Sequence, residues 1–156
     1  MLTEANFHAA ADRYLDMIYR IALNWFRNIP DAEDAAQETM LRLWQSSTEF
    51  QSEEHLRHWL VRVTVNVCKD MSRIPWRRRT ISLEECGEPV FQDPVHQTLW
   101  QEVMTLPGKY RVPLYLYYYE GYSVAEVGEI LKLNPSTVQT RLSRARAKLN
   151  TQLEEE

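Results

Sequence analysis

The sequence predicts an all-α protein: two small helical domains joined by a flexible connector. Three observations predict it. Apolar residues recur at steps of three and four along most of the chain, the spacing of a helix with one buried face. Caps and breakers fall where those stripes begin and end. Between residues 74 and 94 the periodicity vanishes among Pro75, Gly87, Pro89 and Pro94. Connections that long are uncommon inside one compact domain. The expected organisation is therefore a domain over 1–73, a linker over 74–94 and a second domain over 95–156.

In the first helix Phe7, Ala11, Tyr14, Ile18, Ile21 and Trp25 form the stripe, and Pro30 is read as its stop. Asp31 is read as the cap of the second helix, with Glu33 and Asp34 in its first turn, where carboxylates favour the helix dipole. Ala36, Met40, Leu43 and Trp44 are assigned inward. The polar stretch Gln45 to Gln51 is a loop interrupted by Phe50, and Ser52 caps a third helix. That helix carries Leu56, Trp59, Leu60, Val63, Val67 and Met71 on one side. Its β-branched middle is strand-like, but the stripe is too long for a strand. Beyond the connector, Val95, Leu99, Val103 and Leu106 mark a helix ending at Pro107-Gly108. Tyr110 to Glu120 form the next, with Pro113 expected in or near its first turn and Gly121 closing it. Its tyrosines, Tyr115 to Tyr119, are read mainly as core and boundary residues.

Ser123-Val124-Ala125-Glu126 is a capping box that opens a short helix with Val124, Val127 and Leu131 inward. Asn134-Pro135 then starts a last helix with Val138, Leu142, Ala145 and Leu149 inside. Two short helices across a tight turn are a helix-turn-helix, whose second helix enters the DNA major groove. Thr137, Gln139, Thr140, Ser143 and Arg144 are the candidate base readers, because Gln pairs with adenine and Arg with guanine. Arg141, Arg146 and Lys148 are the candidate phosphate contacts. From Asn134 to Asn150 no acid interrupts these cations.

The 156 residues carry 44% hydrophobic and 26% charged side chains with a formal net charge of −4, an ordinary globular composition. No apolar run approaches the roughly 20 residues of a membrane span, and the start lacks a signal-peptide pattern. With 2 Cys, Cys68 and Cys86, neither a disulfide scaffold nor a cysteine zinc site is expected. Those signs set a reducing cytoplasm as the expected compartment. The net charge hides a segregation. Asp31, Glu33, Asp34 and Glu38 form an acidic run, whereas Lys69, Arg73, Arg77, Arg78 and Arg79 are opposed only by Asp70, with Trp76 among them. Cations with an interleaved aromatic suit a nucleic-acid backbone and unstacked bases. An acidic helix suits solvent or a basic protein surface. The chain thus reads as a bridge between DNA and another protein.

Asp31-Ala32-Glu33-Asp34-Ala35-Ala36-Gln37-Glu38 with Leu41-Arg42-Leu43-Trp44 resembles the D-A-E-D-x-x-Q-E-x-F-L-R-L-W signature of bacterial RNA polymerase sigma factors. Residues 57–66 are similar to the W-L-x-R-I-A-x-N stretch that follows it. The segment from Leu106-Pro107 to Leu149 resembles their region 4. The size matches the extracytoplasmic-function (ECF) group, which keeps only regions 2 and 4. The resemblance implies a subunit that makes no bonds itself and needs no cofactor or metal. It directs core RNA polymerase to −10 and −35 promoter elements under the control of an anti-sigma protein. Asp31, Glu33, Asp34, Gln37, Glu38, Leu41 and Trp44 would dock on the β′ clamp helices. Asn66, Lys69 and Asp70 would read the −10 element, with Arg73, Trp76 and Arg77 beside them. The loop Glu49 to Ser52, with Phe50, would capture a flipped base. Gln139, Thr140, Ser143 and Arg144 would read the −35 element, and region 4 would also touch the β flap. Three positions depart from the family pattern: Met40 replaces Phe, and Thr64 and Gly128 stand in place of Ala. Gly128 is expected to loosen its helix by up to about 1 kcal/mol.

Three other readings stay open on the residues alone, one of them a plain helical bundle used for protein contacts, which accounts for the apolar stripes but not for the two opposite charge patches. A dimeric helix-turn-helix regulator explains the C-terminal half but leaves the opposed charge patches of the first half without a role. His55 and His58, three apart on one helix, form a possible ligand pair, but no H-E-x-x-H or carboxylate cluster accompanies them.

Overall fold

A computed structural model describes residues 2–74 and 94–155. Its seven helices are α1 (Glu4–Phe26), α2 (Ile29–Gln45), α3 (Glu53–Ser72), α4 (Pro94–Val103), α5 (Gly108–Tyr118), α6 (Val124–Leu131) and α7 (Pro135–Glu155). Among the described residues there is no strand. Contacts divide the chain into two units, Met1–Glu85 and Cys86–Glu156. Most of the span read as a connector, including Trp76, Arg77 to Arg79 and Cys86, lies outside the described residues.

In the first unit α1, α2 and α3 pack on one another around Ile18, Ile21, Leu23, Leu43, Leu60, Val61 and Val65, all fully buried. The α1–α2 junction differs from the sequence reading. Helix α1 ends at Phe26, because Arg27 takes the left-handed conformation at φ 60° and its N–H returns to the Leu23 carbonyl. Asn28 caps α2, its side-chain oxygen accepting from the Asp31 N–H at 2.9 Å. Pro30 therefore sits in the first turn of α2, where a missing N–H costs nothing, and is not the stop of α1. Asp31 is not the cap; its carboxylate accepts from Asn28 Nδ2 at 2.8 Å.

Helix α2 turns Ala32, Ala35, Ala36, Thr39 and Leu43 inward. Met40 is only half-buried and Trp44 is 40% exposed, so neither belongs to the core face assigned to it. The β-branched middle of α3 is helical throughout, and its buried residues include Val61, Thr64, Val65 and Val67. Thr64 occupies a fully buried site by donating its hydroxyl to the Leu60 carbonyl at 2.6 Å. Trp25 Nε1 donates to Ser72 Oγ at 2.9 Å, pinning the last turn of α3 to α1.

In the second unit Trp100, Leu106, Tyr115, Leu116, Val127 and Leu142 are buried together. Helix α5 begins at Gly108, two residues before the expected start, because the Pro107 carbonyl already accepts from Tyr110 and Arg111. Pro113 thus lies inside the helix, past the first turn, and leaves the exposed Lys109 end of the ladder without one amide donor. Buried Arg111 donates to the Leu106 carbonyl at 2.7 Å, closing the α4–α5 turn from within. Tyr115 stacks on Tyr119 at 5.1 Å and meets Trp100 edge-on, which places these rings in the core.

The capping box at Ser123 is formed from both sides. Lys132 in the left-handed conformation ends α6, and the Leu133 N–H returns to the Gly128 carbonyl at 2.8 Å. A Cβ at position 128 would lie 2.6 Å from the Leu133 carbonyl oxygen. The expectation that this glycine loosens the motif is therefore reversed: only glycine admits so close a turn. Gly128→Ala is expected to destabilise the C-terminal unit by about 1–3 kcal/mol despite alanine's better helix propensity, as read by thermal unfolding.

Candidate functional site

Three surfaces carry chemistry. The first lies between α1 and α2. On α2, Glu33, Gln37, Leu41 and Trp44 are spaced four, four and three, so they share one face. Opposite them α1 presents Phe7, Leu15 and Tyr19, and the two helices enclose a groove of about 940 Å³. Leu15, Leu41 and Trp44 are 42%, 47% and 40% exposed. Trp44 is held by an edge-on contact to Phe7 at 5.2 Å. Apolar side chains rimmed by acids and grouped on one face are a protein-docking feature. The sequence reading missed Phe7, Leu15 and Tyr19; Leu15 alone was visible, as a large apolar residue off the α1 stripe. Asp31, assigned to this surface, is buried at 8% exposure against Asn28 and is not presented. Asp34 and Glu38 lie on a different side of α2 from the groove. Glu38 instead accepts from Arg42 Nε at 3.2 Å, and Arg42 reaches Asp70 on α3 at 3.4 Å.

The second surface is the outer face of α3 and the loop before it. Asn66, Lys69, Asp70 and Arg73 follow one another at i, i+3, i+4 and i+7 and so share a face. Asp70 accepts from Arg42 and Arg73, which leaves this helix end cationic on balance. Trp76 and Arg77, assigned to the same surface, lie outside the described residues. The loop is tied at both ends. Thr48 N–H donates to Ser46 Oγ at 3.1 Å, and Ser52 Oγ accepts from the His55 N–H at 3.1 Å. Gln51 N–H donates to His55 Nδ1 at 3.0 Å. Phe50 is gripped edge-on between His55 and Trp59 at 5.3 and 5.4 Å. Of the two histidines read as a possible ligand pair, His55 shapes the loop. Among the described residues no group of three or more His, Cys, Asp or Glu could hold a metal. Burial pushes the Cys68 thiol far up, so it is an inert core residue.

Behind the loop a cavity of about 440 Å³ is lined by Asn6, Ala9 and Arg13 of α1 as well as by Thr48, Phe50 and Gln51. The α1 wall was not legible, because residues 6–13 and 48–51 are brought together only by tertiary packing. Tyr14 donates its hydroxyl to Glu53 Oε2 at 2.8 Å, and Arg13 pairs with the same oxygen at 2.9 Å. The Tyr14 bond, then Arg13, hold the Glu53 carboxyl below its ordinary range, against some desolvation. Burial, then the Glu53 partner, raise the Tyr14 phenol. The carboxylate's contribution is thus complete above its ordinary pKa and is lost as pH falls through the lowered value.

The third surface is the helix-turn-helix. On α7 Val138, Leu142 and Ala145 are buried, while Gln139, Thr140, Ser143 and Arg144 are exposed. Thr140 Oγ1 donates to the Ser136 carbonyl at 3.0 Å, leaving its lone pairs and methyl outward. Thr137, Thr140, Arg141 and Arg144 join Lys109 and Tyr110 of α5 around a depression of about 320 Å³ whose lining holds no acid. Burial would raise the Tyr110 phenol, but Lys109 and Arg144 outweigh it and pull it below its ordinary value. Lys148 also belongs to this flank, 5.6 Å from the Tyr110 ring. Arg146 does not join the other cations. Its Nε donates to Tyr118 Oη at 2.6 Å and its head lies over Tyr117 and Tyr118, on the opposite flank of α7.

Among the described residues no helix is long and apolar enough to cross a membrane. Residues 10–78 match the family Sigma-70 region 2, and residues 96–149 match Sigma-70, region 4. The chain is 29% identical to the ECF RNA polymerase sigma factor SigW of Bacillus subtilis, over 94% of this chain and 88% of that one. It is 31% identical to the ECF RNA polymerase sigma factor SigM of the same species, over 87% and 88%. Its fold is similar to that of the sigma factor RpoE of Bartonella quintana, solved with the anti-sigma factor NepR. That likeness has a TM-score of 0.73 at 22% identity, over 96% and 97% of the two chains.

The split of the cations generates a contrast. Arg144→Ala is expected to weaken binding of the chain to its duplex site by about 1–3 kcal/mol and to relax base preference there. Arg146→Ala is expected to change the same affinity several-fold less, both read by fluorescence anisotropy at fixed salt.

Proposed function

The chain belongs to the extracytoplasmic-function group of RNA polymerase sigma factors, promoter-specificity subunits rather than enzymes, and from that premise we propose how its surfaces divide the work. Residues 1–73 dock on core polymerase and open the −10 element; residues 95–156 read the −35 element; residues 74–94 connect them. The observation that carries this division is the sorting of surface chemistry. The α2 face with Leu41 and Trp44 is apolar and acid-rimmed, whereas the described α3 end and α7 flank are cationic.

Glu33, Gln37, Leu41 and Trp44 meet the β′ clamp helices, with Trp44 as the central anchor. Such buried aromatic anchors carry most of an interface's free energy. Asn66, Lys69, Asp70 and Arg73 face the −10 strand, and the cavity behind Phe50 receives an unstacked base. Extruding a base costs a few kcal/mol, so a preformed receptor favours the open strand. Thr137, Gln139, Thr140, Ser143 and Arg144 face the −35 major groove, with Arg141 and Lys148 toward phosphates. Arg146 is assigned instead to the Tyr118 flank, where region 4 would meet the β flap. The protein works in the cytoplasm, where core polymerase is, and an anti-sigma protein would compete for the same docking faces.

Incubation of the purified chain with bacterial core polymerase and a randomised duplex pool tests this reading. Recovery of DNA with two sequence blocks at fixed spacing, supporting runoff transcription, is the expected result; recovery with no such blocks overturns it. Trp44→Ala is expected to lower core affinity by about 2 kcal/mol or more. Duplex binding by the C-terminal unit should be unchanged, with both measured by titration.

A further inference from the structure

The first helix of a three-helix unit would ordinarily be only scaffold. Here its N-terminal half forms one wall of the 440 Å³ cavity, with the base-receiving loop as the other. That volume falls in the range of ligand clefts, about 300–1,000 Å³. What joins the walls is specific. Glu53 is the first residue of α3, immediately after the loop, and its carboxylate takes Tyr14 at 2.8 Å and Arg13 at 2.9 Å. The Tyr14 hydroxyl also lies 3.3 Å from the Glu53 backbone carbonyl. Tyr14 itself is buried among core residues, so its hydroxyl has a fixed origin. These contacts cross 39 residues of sequence and converge on the hinge between loop and helix.

We propose that Tyr14, Glu53 and Arg13 form a latch that holds the Thr48–Ser52 loop at the separation from α1 needed to admit one unstacked base, making Tyr14 a positioning residue for strand capture. The inference rests on the proposed role of the cavity as the receptor of a flipped base. Its physical reason is preorganisation. A receptor that must be ordered when the strand arrives loses affinity by the cost of ordering it. The loop's local bonds, Thr48 to Ser46 and Gln51 to His55, fix its own shape but not its distance from α1. The latch ties the loop's end directly to α1. Arg13 has a second consequence: pairing to Glu53 keeps its guanidinium at the cavity wall, where it can meet the phosphate beside the captured base.

The test uses the full chain assembled with core polymerase and the DNA recovered from the randomised pool, carrying 2-aminopurine at each −10 position in turn. Unstacking of one base by the unaltered holoenzyme gives a fluorescence rise at that position. Tyr14→Phe, which removes only the hydroxyl, is expected to reduce the equilibrium open fraction about five- to tenfold. Core affinity and −35 duplex affinity should be unchanged. Amide exchange at residues 48–52 should rise in the same variant. Glu53→Gln, which keeps an acceptor for Tyr14 but loses the ion pair, should fall between Tyr14→Phe and the unaltered chain. No rise at any position with the unaltered chain overturns the cavity reading and this inference together. A rise that Tyr14→Phe leaves unchanged overturns the latch alone. Equal losses of core affinity and unstacking would reduce Tyr14 to a general structural residue, which also overturns it.

Discussion

Three helices of about twenty residues enclose a single layer of side chains, and that scarcity of interior governs the first unit. Ile18, Ile21, Leu23, Leu43, Leu60, Val61 and Val65 fill the space between α1, α2 and α3. A small domain buries a smaller share of its surface than a large one. Leu15, Leu41 and Trp44 therefore fall outside the core and leave apolar area facing water. Their grouping on one groove is what supports the docking face proposed above. Thr64 and Asn28 enter this thin core with their hydrogen bonds made locally, to Leu60 and Asp31.

Electrostatics then assigns the partners. A chain of net charge −4 would be repelled by DNA if its charge were spread evenly. It is not. The lining of the α7 depression has Lys109, Arg141 and Arg144 and no acid, while Glu33 and Asp16 line the groove beside Trp44. Within about 10 Å, the screening length at ordinary salt, a phosphate senses the local set and not the average. Asp70 is the exception at the cationic end of α3, and Arg42 and Arg73 bracket it. For the DNA-facing role proposed for this helix, that arrangement would leave a carboxylate for base edges while limiting its repulsion of phosphates.

Much of this was legible in the chain itself, and the misses have a common cause. Periodicity located the long helices α1, α2, α3 and α7, and the Ser52 and Ser123 caps marked the starts of α3 and α6, because those signals lie within a few residues; α4 ends at Val103, short of the expected Pro107-Gly108. The α1–α2 junction was misread because Pro30 is compatible with a helix stop and a helix start, and only the left-handed Arg27 decides between them. Gly128 was misread by weighing its helix propensity alone; the Leu133 carbonyl that forbids a Cβ comes from the next turn. Asp31 counted as an exposed acid until its cap geometry turned it inward. Arg146 counted with its neighbours because the run of cations conceals which flank of α7 each one takes. The α1 walls of both cavities were the least legible, since Leu15 meets α2, and Arg13 and Asn6 meet the loop before α3, only once the helices pack.

The duties of α1 follow from that last point. One side of the helix faces Leu41 and Trp44, and its N-terminal half also faces the loop before α3. A rigid rod touching both the proposed docking groove and the proposed base receptor would fix their relative geometry without a moving part. The C-terminal turn adds a second tie, since Trp25 holds Ser72 at the end of α3. Helix α1 is thus tied to both the first and the last turn of α3, by Tyr14 to Glu53 and by Trp25 to Ser72. In the base-receiving role proposed for the cavity, a base would meet walls already in place, so the free energy of capture would not be spent on assembling them. For a protein that makes no bonds, preorganisation of this kind is the means available to favour the open strand over the duplex.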